Sequence, residues 1–242
     1  MDTPTNLGTS PICDGEQMTG SADVLSNLLD SRYSCRAFLS KEVPREDIER
    51  MLRMGQRTAS WCNSQPWRVH LTSGAATERL REAVYAQGAS GELDPDIAGP
   101  VEYRGEYADR RRNAGYALYN ALGIARDDYA RRGEQMLENF RFFGAPHVAV
   151  VTTDKALGVY GAVDCGGYVA NMLLAAESLG IAAVPQAAVP MASTALHREL
   201  GIGDDRDIVC AISFGYADET HPANTCRTDR ATLDDTVVWV TD

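Results

Sequence analysis

The hydrophobic positions switch repeatedly between a helical and a strand period along the chain. From Ser21, "ADVLSNLLDS" puts Val24, Leu25, Leu28 and Leu29 on one face. With Ser21 as a cap and Asp23 in the first turn, that spacing predicts a helix. The following "SRYSCRAF" reads as extended. In "KEVPREDIERMLRMGQRT", Pro44 suits a first helical position and Ile48, Met51 and Leu52 recur at helical spacing, so a second amphipathic helix is expected. The run "WRVHLT" alternates Trp67, Val69 and Leu71 with Arg68, His70 and Thr72, the period of a half-buried strand. The turn "ASWCNSQP" therefore joins a helix to a strand.

Residues 73 to 145 are the least regular part: a short helix around "TERLREAVYA", a Gly/Pro loop, and one charged, Tyr-rich helical stretch from Glu106 to Phe140. Residues 98–145 are expected to set substrate specificity. Next come a strand, "HVAVVTTD", and a long helix, "YGAVDCGGYVANMLLAAESLG". The small residues of that helix, Ala162, Gly166, Gly167 and Ala170, permit close backbone approach in the core or at a subunit seam. A strand "IAAVPQAAV", a helix "STALHRELG", a strand "DIVCAISFGYA", a polar stretch and a strand-like "TVVWVT" complete the pattern. No repeat or linker divides it. A mobile polar tail over 1–20 and one domain over 21–242 are expected.

Composition narrows the function classes. The 242 residues carry 34 acidic against 23 basic side chains, a formal net charge of -11. That balance argues against nucleic acid and anionic membranes as partners. Six cysteines lie far apart without a CxxC pair or zinc-like spacing, as free thiols in a reducing cytoplasm would. The N-terminus lacks the basic and apolar regions of a signal peptide, and no run approaches a membrane span of roughly 20 apolar residues. The histidines His70, His147, His197 and His221 are scattered, so packing or surface roles are expected and no metal.

Phosphate-loop, GxGxxG, HExxH and GxSxG signatures are all missing. Three clusters carry complementary chemistry instead. In "SRYSCR", Arg32, Ser34 and Arg36 alternate on an extended segment and share a face, which suits a phosphate and equally a solvated edge. In "NSQPW", the amides of Asn63 and Gln65 each offer a donor and an acceptor, matching a pyrimidine-type ring edge or capping their own turn, while Pro66 and Trp67 hold the turn against the core. In "NTCRTDR", Arg227 and Arg230 lie in a segment followed by an apolar run and so pinned at both ends. Trp61, Tyr107 and Tyr116 suit either a flat substrate or packing. Cys62 reads as a buried thiol.

In this order and spacing, "RYSCR", "NSQPW" and "RTDR" resemble the FMN-dependent nitroreductase family, from about Ser21 to the C-terminus. The resemblance implies an α+β, three-layer fold: a mostly antiparallel sheet flanked by helices, in an intertwined homodimer with FMN at the interface. It implies that Arg32 and Ser34, with Tyr33 between them, hold the FMN phosphate, helped by Arg230 and Arg227. Arg36 would stand near the flavin C2 carbonyl, Asn63 and Gln65 at the pyrimidine edge, and Pro185 and Gln186 in the segment passing over the ring. Ala59-Ser60 and Ala187-Ala188 replace the family's common Pro-Ser and Glu-Gly. No side chain need act as a catalytic nucleophile, because the flavin carries the redox chemistry. The implied activity uses NADPH or NADH to reduce a nitroaromatic or a quinone by ping-pong two-electron transfer. Reductive dehalogenation or flavin modification on the same fold, and non-catalytic FMN binding, are the alternatives. "RRRNAG" suits a phosphorylated nicotinamide or a solvated helix face.

Overall fold

The computed structural model describes the backbone of residues 15–241 and side chains from residue 20 onward. Four strands form one antiparallel sheet: β1 (Arg68–Thr72), β2 (His147–Asp154), β3 (Ala182–Gln186) and β4 (Arg206–Gly215), in the order β1-β2-β4-β3. The helices are α1 (Gly15–Ser31), α2 (Arg45–Gly55), α3 (Ala75–Ser90), α4 (Gly105–Ala121), α5 (Tyr129–Leu137), α6 (Gly158–Ser178), α7 (Ser193–Leu200) and the single turn α8 (Leu233–Thr236).

β2 is buried from His147 through Thr153 because helices cover both faces of the sheet. On one face Ala149, Val151, Ile212 and Phe214 pack with Tyr168, Met172 and Leu173 of α6 and Met51 of α2. On the other, Val148, Val150, Ile208 and Ala211 meet Leu80 and Val84 of α3 and Leu196 of α7. Gly161 lets α6 lie this close: a Cβ there would sit 2.3 Å from Thr153 Oγ1. The expected three-layer α+β arrangement is therefore present.

Several boundaries move, each for a physical reason. α1 begins at Gly15, so Ser21 lies inside the helix and the helix reaches into the segment expected as a tail; residues 1–14 lie outside the described residues. Pro44 is the N-cap of α2, one place before the first helical position, and its carbonyl accepts from Asp47 and Ile48. The outward-facing Thr72 of β1 is buried, with its hydroxyl 3.0 Å from that of Thr77, because α3 covers the second face. The Tyr-rich stretch divides into α4 and α5 around Gly123, whose φ is +60°. "TVVWVT" forms no strand among the described residues: Thr236 ends α8, Val237 N donates to Leu233 O, and Val238, Trp239 and Val240 are exposed.

The small residues of α6 divide between the core and the surface. Its buried face is Gly161, Cys165, Tyr168 and Met172, whereas Gly166, Gly167 and Ala170 are exposed beside Val159 and Val163. Val24, Leu25 and Leu29 of α1 are exposed as well, so two apolar faces and the C-terminal segment are left uncovered among the described residues. No helix among the described residues is long and apolar enough to cross a membrane.

Candidate functional site

The site begins where α1 stops. Beyond Ser31 the backbone straightens and docks on the free edge of β3, with a parallel bridge from Ser34 to Ala183 and a hydrogen bond from Cys35 N to Ala183 O at 3.2 Å. Farther on, Phe38 bridges Ala217. The segment is thus extended, as its sequence suggests.

The C-terminal region returns to this segment through Asn224. Its Oδ1 accepts from Arg36 N at 2.7 Å, and its Nδ2 donates to the carbonyls of Ala37 and Asp218, both at 2.8 Å. Asn224 is only 5% exposed, so these bonds form away from competing water. Arg227 then donates to the carbonyls of Asn224 and Cys226, and its guanidinium lies 3.8 Å from the centre of the Tyr33 ring. Burial pushes the Tyr33 phenol up, which keeps it neutral under that cation. Arg230 is held by the hydroxyl and carbonyl of Thr228.

The result is a cavity of about 370 Å³ onto which Arg32, Tyr33, Ser34, Arg36, Arg227 and Arg230 converge, with Asp30 at its edge. Among the described residues none of the four arginines is ion-paired. Burial pulls the Arg36 guanidinium below its ordinary value, opposed only by nearby cysteines. Arg36 is half-buried and its guanidinium donates to the Ser34 carbonyl at 3.2 Å; a partly desolvated cation without a carboxylate favours an anion beside it. The donor set fits a phosphate.

The amide turn is built differently. Cys62, Asn63 and Gln65 have φ of +52°, +53° and +46°, a left-handed run that Asn tolerates and that costs other residues about 1–2 kcal/mol each. It is pinned by Trp61 N on the Asp164 carboxylate, by Gln65 N on Ser60 Oγ at 2.9 Å, and by Gln56, which bridges Gln65 and the Trp67 indole. Pro66 and Trp67 are buried as expected, with Trp67 stacked on Tyr168 at 5.0 Å. Gln65 is drawn into the turn through Asn63 O, while the Asn63 amide makes no hydrogen bond within the described chain and faces solvent. Cys62 is exposed, contrary to the buried thiol expected, because the left-handed turn swings it outward. Trp61 is exposed too, edge-on to Tyr160.

The turn and the cradle lie at opposite corners of one chain. The Ser34 segment borders β3 and the turn leads into β1, so four strand spacings of about 4.8 Å separate them, roughly 19 Å.

Pro185 and Gln186 end β3, opposite Ile212 and Ala211. The Gln186 side chain is buried, donating to Asn139 O at 2.9 Å and accepting from Ser213 Oγ, so it ties residues 98–145 to the sheet and presents only backbone beyond β3. Those residues wall a second cavity, of about 750 Å³, with Leu122, Ile124 and Arg131 facing Arg36, Phe38 and His221. Of the other histidines, His147 accepts from Val43 N and stacks on Phe214, and His197 pairs with Asp96. No metal-binding cluster occurs among the described residues. Asn224 and Asn139 escape a reading by sequence, since a single Asn in a polar run gives no sign of burial; the only signal for Asn224 is its place in "NTCR".

The family model for nitroreductases matches residues 29–216. The chain is 36% identical over 239 residues to the nitroreductase NfnB of Mycolicibacterium smegmatis, covering 98% of each chain. It is 30% identical to the chloronitrobenzene nitroreductase of Comamonas testosteroni, over 89% of this chain and 96% of that one. Among solved structures, the FMN-dependent nitroreductase NfnB of Mycobacterium smegmatis in complex with NADPH superposes with a TM-score of 0.87 at 35% identity, over 91% of this chain and 100% of that one. The FMN- and NADPH-dependent NfnB of Sphigopyxis sp. strain HMH gives 0.86 at 32%, over 90% and 99%. With its motifs, sheet order and arginine cradle, this chain belongs to the nitroreductase family.

Proposed function

We propose that the protein is an FMN-dependent nitroreductase that uses NADPH to reduce nitroaromatic compounds, with quinones as further acceptors, and works as a cytoplasmic homodimer. The observation that carries this reading is the convergence of four unpaired arginines on one cavity in a chain of net charge -11. Relatives described as FMN-dependent, as bound to NADPH and as acting on chloronitrobenzene support it. Dehalogenation and flavin modification find no support among those relatives.

Arg32, Ser34, Arg227 and Arg230 would hold the FMN phosphate by charge-assisted hydrogen bonds, with Tyr33 bracing Arg227. Arg36, fixed by Asn224, would place a positive charge beside the isoalloxazine and stabilise its anionic reduced form. Bound FMN would supply the redox chemistry, hydride acceptance from NADPH and two-electron reduction of the acceptor. The backbone after Pro185 and Gln186 would border the ring, and residues 98–145, which wall the larger cavity, would form the acceptor side.

The separation of about 20 Å between Asn63 and the cradle bears on assembly. If both meet one flavin, the turn belongs to the partner subunit, and a two-fold dimer completes two equivalent sites. The exposed faces of α1 and α6 and the Val238–Val240 segment supply apolar surface for that contact. Initial rates with NADPH and 4-nitrobenzoate should give parallel double-reciprocal lines, as expected when donor and acceptor use the same face in turn. Intersecting lines, or turnover of a halogenated phenol in place of the nitroarene, would reject the reading.

A further inference from the structure

Between Tyr103 and Arg132 the chain reverses its charge balance: seven arginines stand against four carboxylates, in a protein that is acidic overall. Three of those four carboxylates are already engaged. Glu106 pairs with Arg110, Asp109 with Arg112 at 3.0 Å, and Asp128 caps α5 by accepting from Arg131 N. Arg111, Arg126 and Arg132 are left without a carboxylate partner among the described residues.

These three cations are placed by aromatic rings. Arg111 lies 5.2 Å from the centre of Tyr103, Arg126 lies 4.9 Å from Tyr116, and Arg132 lies 4.9 Å from Tyr119. Arg132 also donates to the carbonyl of Arg126, which closes the α4–α5 connection. Ala108, Arg111, Gly115 and Tyr119 recur at i, i+3, i+7 and i+11 on one face of α4, and that face lines a cavity of about 460 Å³ closed by Tyr103 and Arg132. Guanidiniums laid on rings are held with donors free, the arrangement that binds a phosphate oxygen while the same rings stack a base.

The opposite face of α4, with Arg110, Asn113 and Ala117, borders Arg227 and Arg230 of the cradle. One helix, about 10 Å across, therefore separates this pocket from the phosphate end of the cofactor site, and an extended dinucleotide can span that width. We propose that the pocket between Arg111, Tyr119 and Arg132 binds the adenosine 2′-phosphate of NADPH and so selects NADPH over NADH. The assignment rests on the NADPH-driven reading given above.

The test uses the FMN-loaded enzyme and the probes 2′,5′-ADP and 5′-AMP, which differ by the 2′-phosphate. Calorimetry should show 2′,5′-ADP binding at least tenfold more tightly than 5′-AMP, with that advantage lost in Arg111→Glu. The Arg111 side chain makes no hydrogen bond or ion pair among the described residues, so the variant should fold, and its thermal melting checks that. The ratio of kcat/KM for NADPH over NADH should fall about tenfold or more in Arg111→Glu and be largely restored in Arg111→Lys. Equal affinity for the two probes, or an unchanged ratio in Arg111→Glu, would overturn the proposal. If neither dinucleotide reduces the flavin, the underlying function is wrong, and the calorimetry still decides whether the pocket reads a 2′-phosphate.

Discussion

The backbone N–H of Arg36 donates to Asn224 Oδ1 at 2.7 Å, joining segments 188 residues apart. Through this contact an early arginine motif and a late one become two walls of one cavity. Asn224→Ala would leave the Arg36 amide and the carbonyls of Ala37 and Asp218 without that partner. At about 1–3 kcal/mol per buried unsatisfied group, partly relieved by water, we expect a loss of about 2–4 kcal/mol. Urea unfolding should show it, together with weaker FMN retention. A loss below about 0.5 kcal/mol would mean that the two segments are held by other contacts.

Arg230→Ala should weaken FMN binding while leaving the fold intact, because among the described residues Arg230 bonds only within its own turn. A charge-assisted contact is worth about 1.5–3 kcal/mol, which is roughly a tenfold to hundredfold change in Kd. Flavin fluorescence titration reads this directly, and an unchanged Kd removes Arg230 from the site.

The pair His197–Asp96 makes stability depend on pH. Burial opposes the charged form of His197, but hydrogen bonds to Asp96 and to the Ile202 carbonyl outweigh it and raise its pKa. Burial likewise opposes ionised Asp96, but Ser193, the Ile208 amide and His197 outweigh it and lower its pKa. The histidine contribution is full below its unfolded value of about 6.5 and is lost as pH rises through the folded value; the aspartate contribution is full above about 4 and is lost on acidification. The pair therefore contributes most between about pH 4 and 6.5. Relative to His197→Gln, the wild type should show its largest advantage in urea unfolding near pH 5.5 and a smaller one at pH 8. An advantage that grows with pH would contradict the assignment.

Val163 is 63% exposed on the unpartnered face of α6. Placing a charge there should disrupt the proposed dimer and leave the monomer core unchanged. Val163→Arg should shift the species seen by light scattering from dimer toward monomer. A dimer of unchanged stability would place the subunit contact elsewhere.

The sequence was legible where one face of an element is apolar and the other polar, as in α2, or where an element is buried on both sides, as in β2, whose expected limits match those observed. At the C-terminus the β-branched "TVVWVT" has strand propensity but meets no strand edge among the described residues. Of the candidate site, the arginine cradle was readable because alternation on an extended segment puts side chains on one face. The roles of Asn224 and Asn139 were not, because a buried amide is defined by distant backbone groups that local sequence does not contain. Nor did sequence order reveal that Asn63 stands at the far corner from the arginines.

The cradle's identity as a flavin phosphate site is tested most directly by the visible spectrum of the purified protein under anaerobic conditions, before and after NADPH. A flavin spectrum that bleaches on addition is the predicted result. A colourless protein that does not take up added FMN would contradict the assignment of Arg32, Ser34, Arg36, Arg227 and Arg230 to that phosphate.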